Sequence, residues 1–72
     1  MLGGEIIEMS GFKAYRIKAG LTQKDVADFF HISQVSVWQW ENGNLPRADK
    51  LPAIAELYHC TIDQLLEKEE SA

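Results

Sequence analysis

From Ser10 onward the apolar residues recur every three or four positions in short runs, each opened by a capping residue or a loop and most closed by a turn residue. That period is helical, and no alternating apolar and polar run is long enough to make a strand. The pattern predicts five short helices. The first runs from about Gly11 to Ala19: Ser10 caps it, Phe12, Tyr15 and Ile17 supply apolar contacts, and Gly20 ends it. "TQKD" opens the second, with Thr22 as N-cap and Asp25 three residues on in a capping box, and Val26, Ala27 and Phe30 form its buried stripe. Ser33 caps a third helix that continues to Asn42-Gly43. "NLPR" is a loop, because Pro46 removes a donor and pushes Leu45 out of helical geometry. Leu51, Ile54, Ala55 and Tyr58 mark a fourth helix, and the capping box "TIDQ" starts a fifth that carries Leu65 and Leu66. The tail "EKEESA" reads as frayed and solvated. The organisation expected is an N-terminal extension over 1–9, a helical domain over 10–66 and an acidic tail over 67–72.

The second and third helices are separated only by "HIS". Two short helices joined so tightly cross steeply, which is the helix-turn-helix unit that places its second member in the DNA major groove. On the third helix, Val37 shares one face with Trp40 and Glu41, while Gln34, Trp38 and Asn42 line up at spacings of four on the other, with Val35 and Gln39 beside them. Trp40 is therefore the core tryptophan, and Trp38 points outward. Glutamine suits adenine N6 and N7, serine bonds to several bases, and valine touches a thymine methyl. Gln34, Val35, Ser36, Trp38 and Gln39 are accordingly the candidate base contacts. Taken alone, the same polar residues would equally suit an ordinary solvated face.

Charge sharpens this picture. The chain of 72 residues carries a net charge of −4, which by itself argues against a phosphate partner. Residues 11–50, however, hold six Lys and Arg against four Asp and Glu, so an anion-binding face belongs to that middle segment and the acidic ends turn away from it. One cysteine, Cys60, makes no internal disulfide and, with His31 and His59, no zinc spacing, so no metal or cofactor is expected and the setting is read as cytoplasmic. The opening "MLGGEIIEMSG" has neither a basic leader nor a membrane-length apolar run, and it leaves Met1 and Met9 as alternative starts. No nucleophile, base and orienting group stand at useful spacing, so an enzyme is not expected.

From about Phe12 to Leu66 the sequence resembles the Cro and phage-repressor (XRE-like) helix-turn-helix family. The residues that carry the match are "FKAYR", "GLTQKDVA", Ile32-Ser33, Val37, "WENG", Pro46, Leu51, Ile54-Ala55 and "TIDQLL". The resemblance implies an all-α fold, a compact five-helix lambda-repressor-like DNA-binding domain whose third helix reads the major groove. It implies that Thr22 and Gln23 hold phosphate, that Asn42 and Arg47 make further backbone contacts, and that Arg16 and Glu41 form a structural salt bridge; Lys24 and Lys50 add charge near the phosphates. It also implies a small transcriptional repressor of phage or mobile-element type, acting as a homodimer on double-stranded operator DNA. The alternative is an antitoxin-like or protein-interaction module on the same fold, favoured by the overall acidity and by Trp38. Two positions depart from the family. His31 stands where a turn glycine is usual, which calls for a left-handed conformation there, and Trp38 replaces a small or polar residue. Three roles stay open for Trp38: contact with sugar or a thymine methyl, an aromatic patch with Phe29 for a protein partner, or packing back onto its own domain.

Overall fold

Four of the helices begin at the hydroxyl marked for them. In the computed structural model, which describes residues 9–69, the side chains of Ser10, Thr22, Ser33 and Thr61 accept the backbone N–H groups of Lys13, Asp25, Ser36 and Gln64. They open α1 (Gly11–Lys18), α2 (Gln23–Phe30), α3 (Gln34–Glu41) and α5 (Ile62–Leu66). Both expected capping boxes close, at Thr22 with Asp25 and at Thr61 with Gln64. Between α3 and α5, α4 (Leu51–Tyr58) starts without a side-chain cap, from a 3-10 turn over Ala48–Lys50 and with Pro52 in its first turn, where a missing N–H costs nothing.

Three helices end in one way. Gly20, His31 and His59 adopt φ of 78°, 58° and 58°, and the following Leu21, Ile32 and Cys60 donate their N–H groups back to the carbonyls of Arg16, Ala27 and Ala55. This six-to-one bond turns the chain sharply and drops the next side chain onto the core, which is why Leu21, Ile32 and Cys60 all pack against it. The left-handed conformation expected at His31 is present. His59 shares it and closes α4 in the same way.

The core consists of Phe12, Val26, Ala27, Val37, Trp40, Ile54, Ala55, Tyr58 and Leu65. Trp40 meets Phe30 nearly edge to face at 6.1 Å and lies 6.3 Å from Phe12, so α3 is pinned between α1 and α2 by one ring. The expected placement of Ile17 is corrected: it is 50% exposed, and Arg16 occupies the inward position instead. Ile17 is five residues from Phe12, which carries it well round the helix, whereas Arg16 at a spacing of four shares Phe12's face.

The ends differ from expectation as well. Met9–Ser10 (β1) pairs antiparallel with Lys68–Glu69 (β2), and the Gly11 N–H donates to the Glu67 carbonyl at 2.7 Å. A two-residue ladder is too short to leave an alternating signature, so the all-helical reading missed it. Lys68 and Glu69, assigned to a frayed tail, are thereby tied to the start of α1. Residues 1–8 of the expected N-terminal extension, and residues 70–72 of the tail, lie outside the described residues.

Candidate nucleic-acid interface

Val37 and Trp40 face the core, and that anchoring turns the opposite side of α3 outward. Gln34, Val35, Trp38 and Gln39 are exposed there, Val35 to 61% and Trp38 to 52%. Trp38 does not sink into the core. Ser36 is half-buried, and its hydroxyl lies 3.2 Å from that of the cap residue Ser33.

Behind this face sits an ion pair between α1 and the end of α3. Arg16 Nε donates to Glu41 Oε2 at 2.5 Å and Nη2 to Oε1 at 3.3 Å, while Nη1 reaches the Leu21 carbonyl at 2.8 Å. The guanidinium therefore has a forked carboxylate partner and a backbone partner, the arrangement that makes a buried arginine tolerable. Burial, and then the charge of Glu41, push the neighbouring Tyr58 hydroxyl far above the usual phenolic range, so it stays neutral.

Glu41 does more than neutralise Arg16. A carboxylate only accepts, so the Gln23 amide turns its Nε2 toward Glu41 Oε1 at 3.0 Å, which leaves Gln23 Oε1 to accept from Gln34 Nε2 at 3.4 Å. A chain of bonds thus runs from Arg16 through Glu41 and Gln23 to the first residue of α3. The sequence reading placed Gln23 among the phosphate contacts and gave it no positioning role. Its partners are 18 and 11 positions away, a distance over which helical periodicity carries no signal.

Around the N-terminus of α2, Thr22 and Lys24 are exposed and Gln23 is half-buried. The Thr22 N–H is already held by the Asp25 carboxylate at 2.9 Å. An external anion would meet the N–H groups of Gln23 and Lys24, which precede the helix's own ladder. The Lys24 ammonium lies 3.0 Å from Asp28 in an open pair that water and salt weaken readily. Past the other end of α3, the Asn42 Nδ2 donates to the Trp38 carbonyl at 2.8 Å and so closes the helix. Arg47 and Lys50 follow, both exposed, with Arg47 Nε 3.8 Å from Asp49. The candidate residues thus form one cluster where the N-terminal ends of α2 and α3 come together, and a second group along the segment that leaves α3.

The capping box also sets a pH dependence. Backbone and side-chain bonds from Thr22 hold the Asp25 carboxyl below its ordinary value of 3.8. A carboxyl lowered on folding contributes stability above its unfolded pKa and loses it as pH falls through the folded value. We therefore expect urea unfolding to show a larger drop in stability between pH 5 and pH 2.5 for the wild type than for Asp25→Asn; equal drops would remove Asp25 from the acid response.

Among the described residues no group of three His, Cys, Asp or Glu side chains could hold a metal ion, and no helix is long and apolar enough to cross a membrane. Burial raises the Cys60 thiol above its usual range, which makes it a poor nucleophile at neutral pH.

Residues 12–65 match the helix-turn-helix family. The chain is also similar to the HTH-type transcriptional activator BcrR of Enterococcus faecalis, with 33% identity over 61 residues, which is 81% of this chain and 30% of that protein. The chain therefore spans about three tenths of that relative's length. No solved structure matches it.

Proposed function

The chain belongs to the Cro and phage-repressor (XRE-like) helix-turn-helix family, and from that premise we propose that it binds double-stranded DNA sequence-specifically, to regulate transcription. The observation that carries this reading is the outward face of α3, where Gln34 is held by Gln23 at the mouth of the helix pair. In the bound state Gln34 turns its amide to adenine N6 and N7, and Gln39 and Ser36 offer further groups to base edges. Backbone N–H groups of Gln23 and Lys24, with the Thr22 hydroxyl, meet phosphate on one side, and Asn42, Arg47 and Lys50 meet it on the other.

We propose a homodimer on a two-fold operator. Support comes from an open groove of about 600 Å3 beside the end of α3, floored by Phe12, Trp40 and Leu65 and flanked by the exposed Leu45 and Leu66. The same groove is the specific support for the second reading, a protein-interaction or antitoxin-like module. Repression is the sign of regulation we favour, since occupancy of an operator suffices for it. The relative named as an activator extends far beyond the matched segment, so its sign does not transfer.

Selection from a random duplex library at near-physiological salt tests the reading. A two-fold site with half-sites one turn, about 34 Å, apart is the expected product. Failure of the folded protein to enrich any sequence would leave the protein-interaction reading. On the enriched duplex, Gln34→Ala should cost about 1–3 kcal/mol and relax one base position. An equal loss for all sequences would make Gln34 a phosphate contact instead.

A further inference from the structure

Val35 and Trp38 are large apolar side chains left more than half exposed on the face of α3 that the reading above turns toward DNA. Together with Gln23 and Gln34 they line an open notch of about 270 Å3. Two of its walls are amides already bonded to each other, and those amides belong to the bond chain that passes through Glu41 to Arg16. The other two walls are the valine methyls and the indole. The notch therefore has a hydrogen-bonding edge of two amides and a largely apolar edge whose single polar group is the indole Nε1–H.

The occupant follows from the chemistry of the major groove. Phosphates, and the N7, O6, O4, N6 and N4 edges of the bases, all need polar partners, and the only apolar group a base displays there is a methyl on pyrimidine C5. Thymine carries that methyl, and cytosine carries it at the same position when methylated. Water against the valine methyls and the faces of the indole ring gains at most the single indole Nε1–H as a polar partner from these two walls, so displacing it by a methyl is favourable. We infer that the Val35–Trp38 notch reads the C5 methyl of a pyrimidine next to the adenine bonded by Gln34, making Trp38 a specificity-determining residue that senses cytosine methylation. This inference rests on the DNA-binding reading above.

The test measures affinity of the full chain, by fluorescence anisotropy at fixed salt, for the duplex enriched in the selection. Each thymine in turn is replaced by deoxyuridine, which removes the methyl and nothing else. One position per half-site should weaken binding about four-fold, the value of one buried methyl-sized group. At that position a duplex carrying 5-methylcytosine should bind about four-fold tighter than one carrying cytosine. Trp38→Ala, and separately Val35→Ala, should shrink both ratios toward one. The ratios are internal to each variant, so a general loss of affinity does not imitate the result. Both side chains are exposed and the Asn42 bond is to the Trp38 backbone, so each variant should keep the wild-type melting transition.

Equal binding of thymine and uracil at every position, on a duplex still recognised specifically, would overturn the inference and leave the DNA-binding reading standing. Methyl ratios that survive in both variants would also overturn it, because the methyl would then be read elsewhere. Absence of any enriched duplex would overturn the DNA-binding reading first and the notch with it.

Discussion

Glu41→Ala should lower the unfolding free energy by about 3 kcal/mol or more, and the melting temperature by roughly 12 °C or more. The Glu41 side chain is 2% exposed and that of Arg16 is 10% exposed, so neither charge has water to fall back on. Removing the carboxylate leaves the guanidinium with the Leu21 carbonyl alone. A domain of this size has roughly 4–11 kcal/mol of stability in total, so the loss is a large share of it. The destabilisation comes from the orphaned charge more than from the lost attraction. Replacing both partners with apolar residues, Arg16→Met with Glu41→Leu, should therefore bring the melting temperature back toward wild type. It should not restore base preference, because Gln23 would still lack the acceptor that orients it toward Gln34. Calorimetry on the single and double variants, with competition between preferred and mismatched duplexes, separates the two effects. A Glu41→Ala melt identical to wild type would show that the pair contributes nothing to stability.

Of Gly11, Gly20 and Gly43, Gly11 is the one whose replacement by alanine should do most damage, about 3 kcal/mol, the upper end for an overpacked site. A β-carbon there would stand 2.0 Å from the Gln64 carbonyl oxygen and 2.5 Å from that of Leu65. Both obstacles are backbone, so no rotamer relieves them. The chain must instead lever α5 away from α1, which strains the Gly11 to Glu67 bond and draws the fully buried Leu65 outward. Gly20→Ala is the informative control. Nothing lies within 4 Å of its missing side chain, and only its φ of 78° opposes the substitution, at about 1–2 kcal/mol. Urea unfolding of the two variants checks the ordering; a Gly11→Ala protein no weaker than Gly20→Ala would mean that α5 yields easily.

The two glycines illustrate what can be read from a chain. Gly20 is legible because its role is local: a helix must stop, and the left-handed turn that stops it favours glycine at that one position. Gly11 is illegible because its role depends on a carbonyl more than fifty residues away in sequence. The third helix divides in the same manner. That Trp40 faces inward and Trp38 outward follows from 3.6 residues per turn, and Asn42 returning to Trp38 follows from a spacing of four. That Gln23 stands between Glu41 and Gln34 does not follow from any spacing, since it requires α2 and α3 to have crossed already.

The sequence by itself determined the number of helices, their caps, the tight second-to-third connection, the inward stripe and the family likeness. Each of these is decided within a few residues by dihedral preferences, capping bonds and helical period. Tertiary structure alone decided the partners of Gln23, the approach of α5 on Gly11, the strand pair that ties the ends together, and the notch between Val35 and Trp38. Those features are contacts between segments whose meeting is fixed by burial of the whole core, a cooperative quantity to which no single stretch of the chain holds the key.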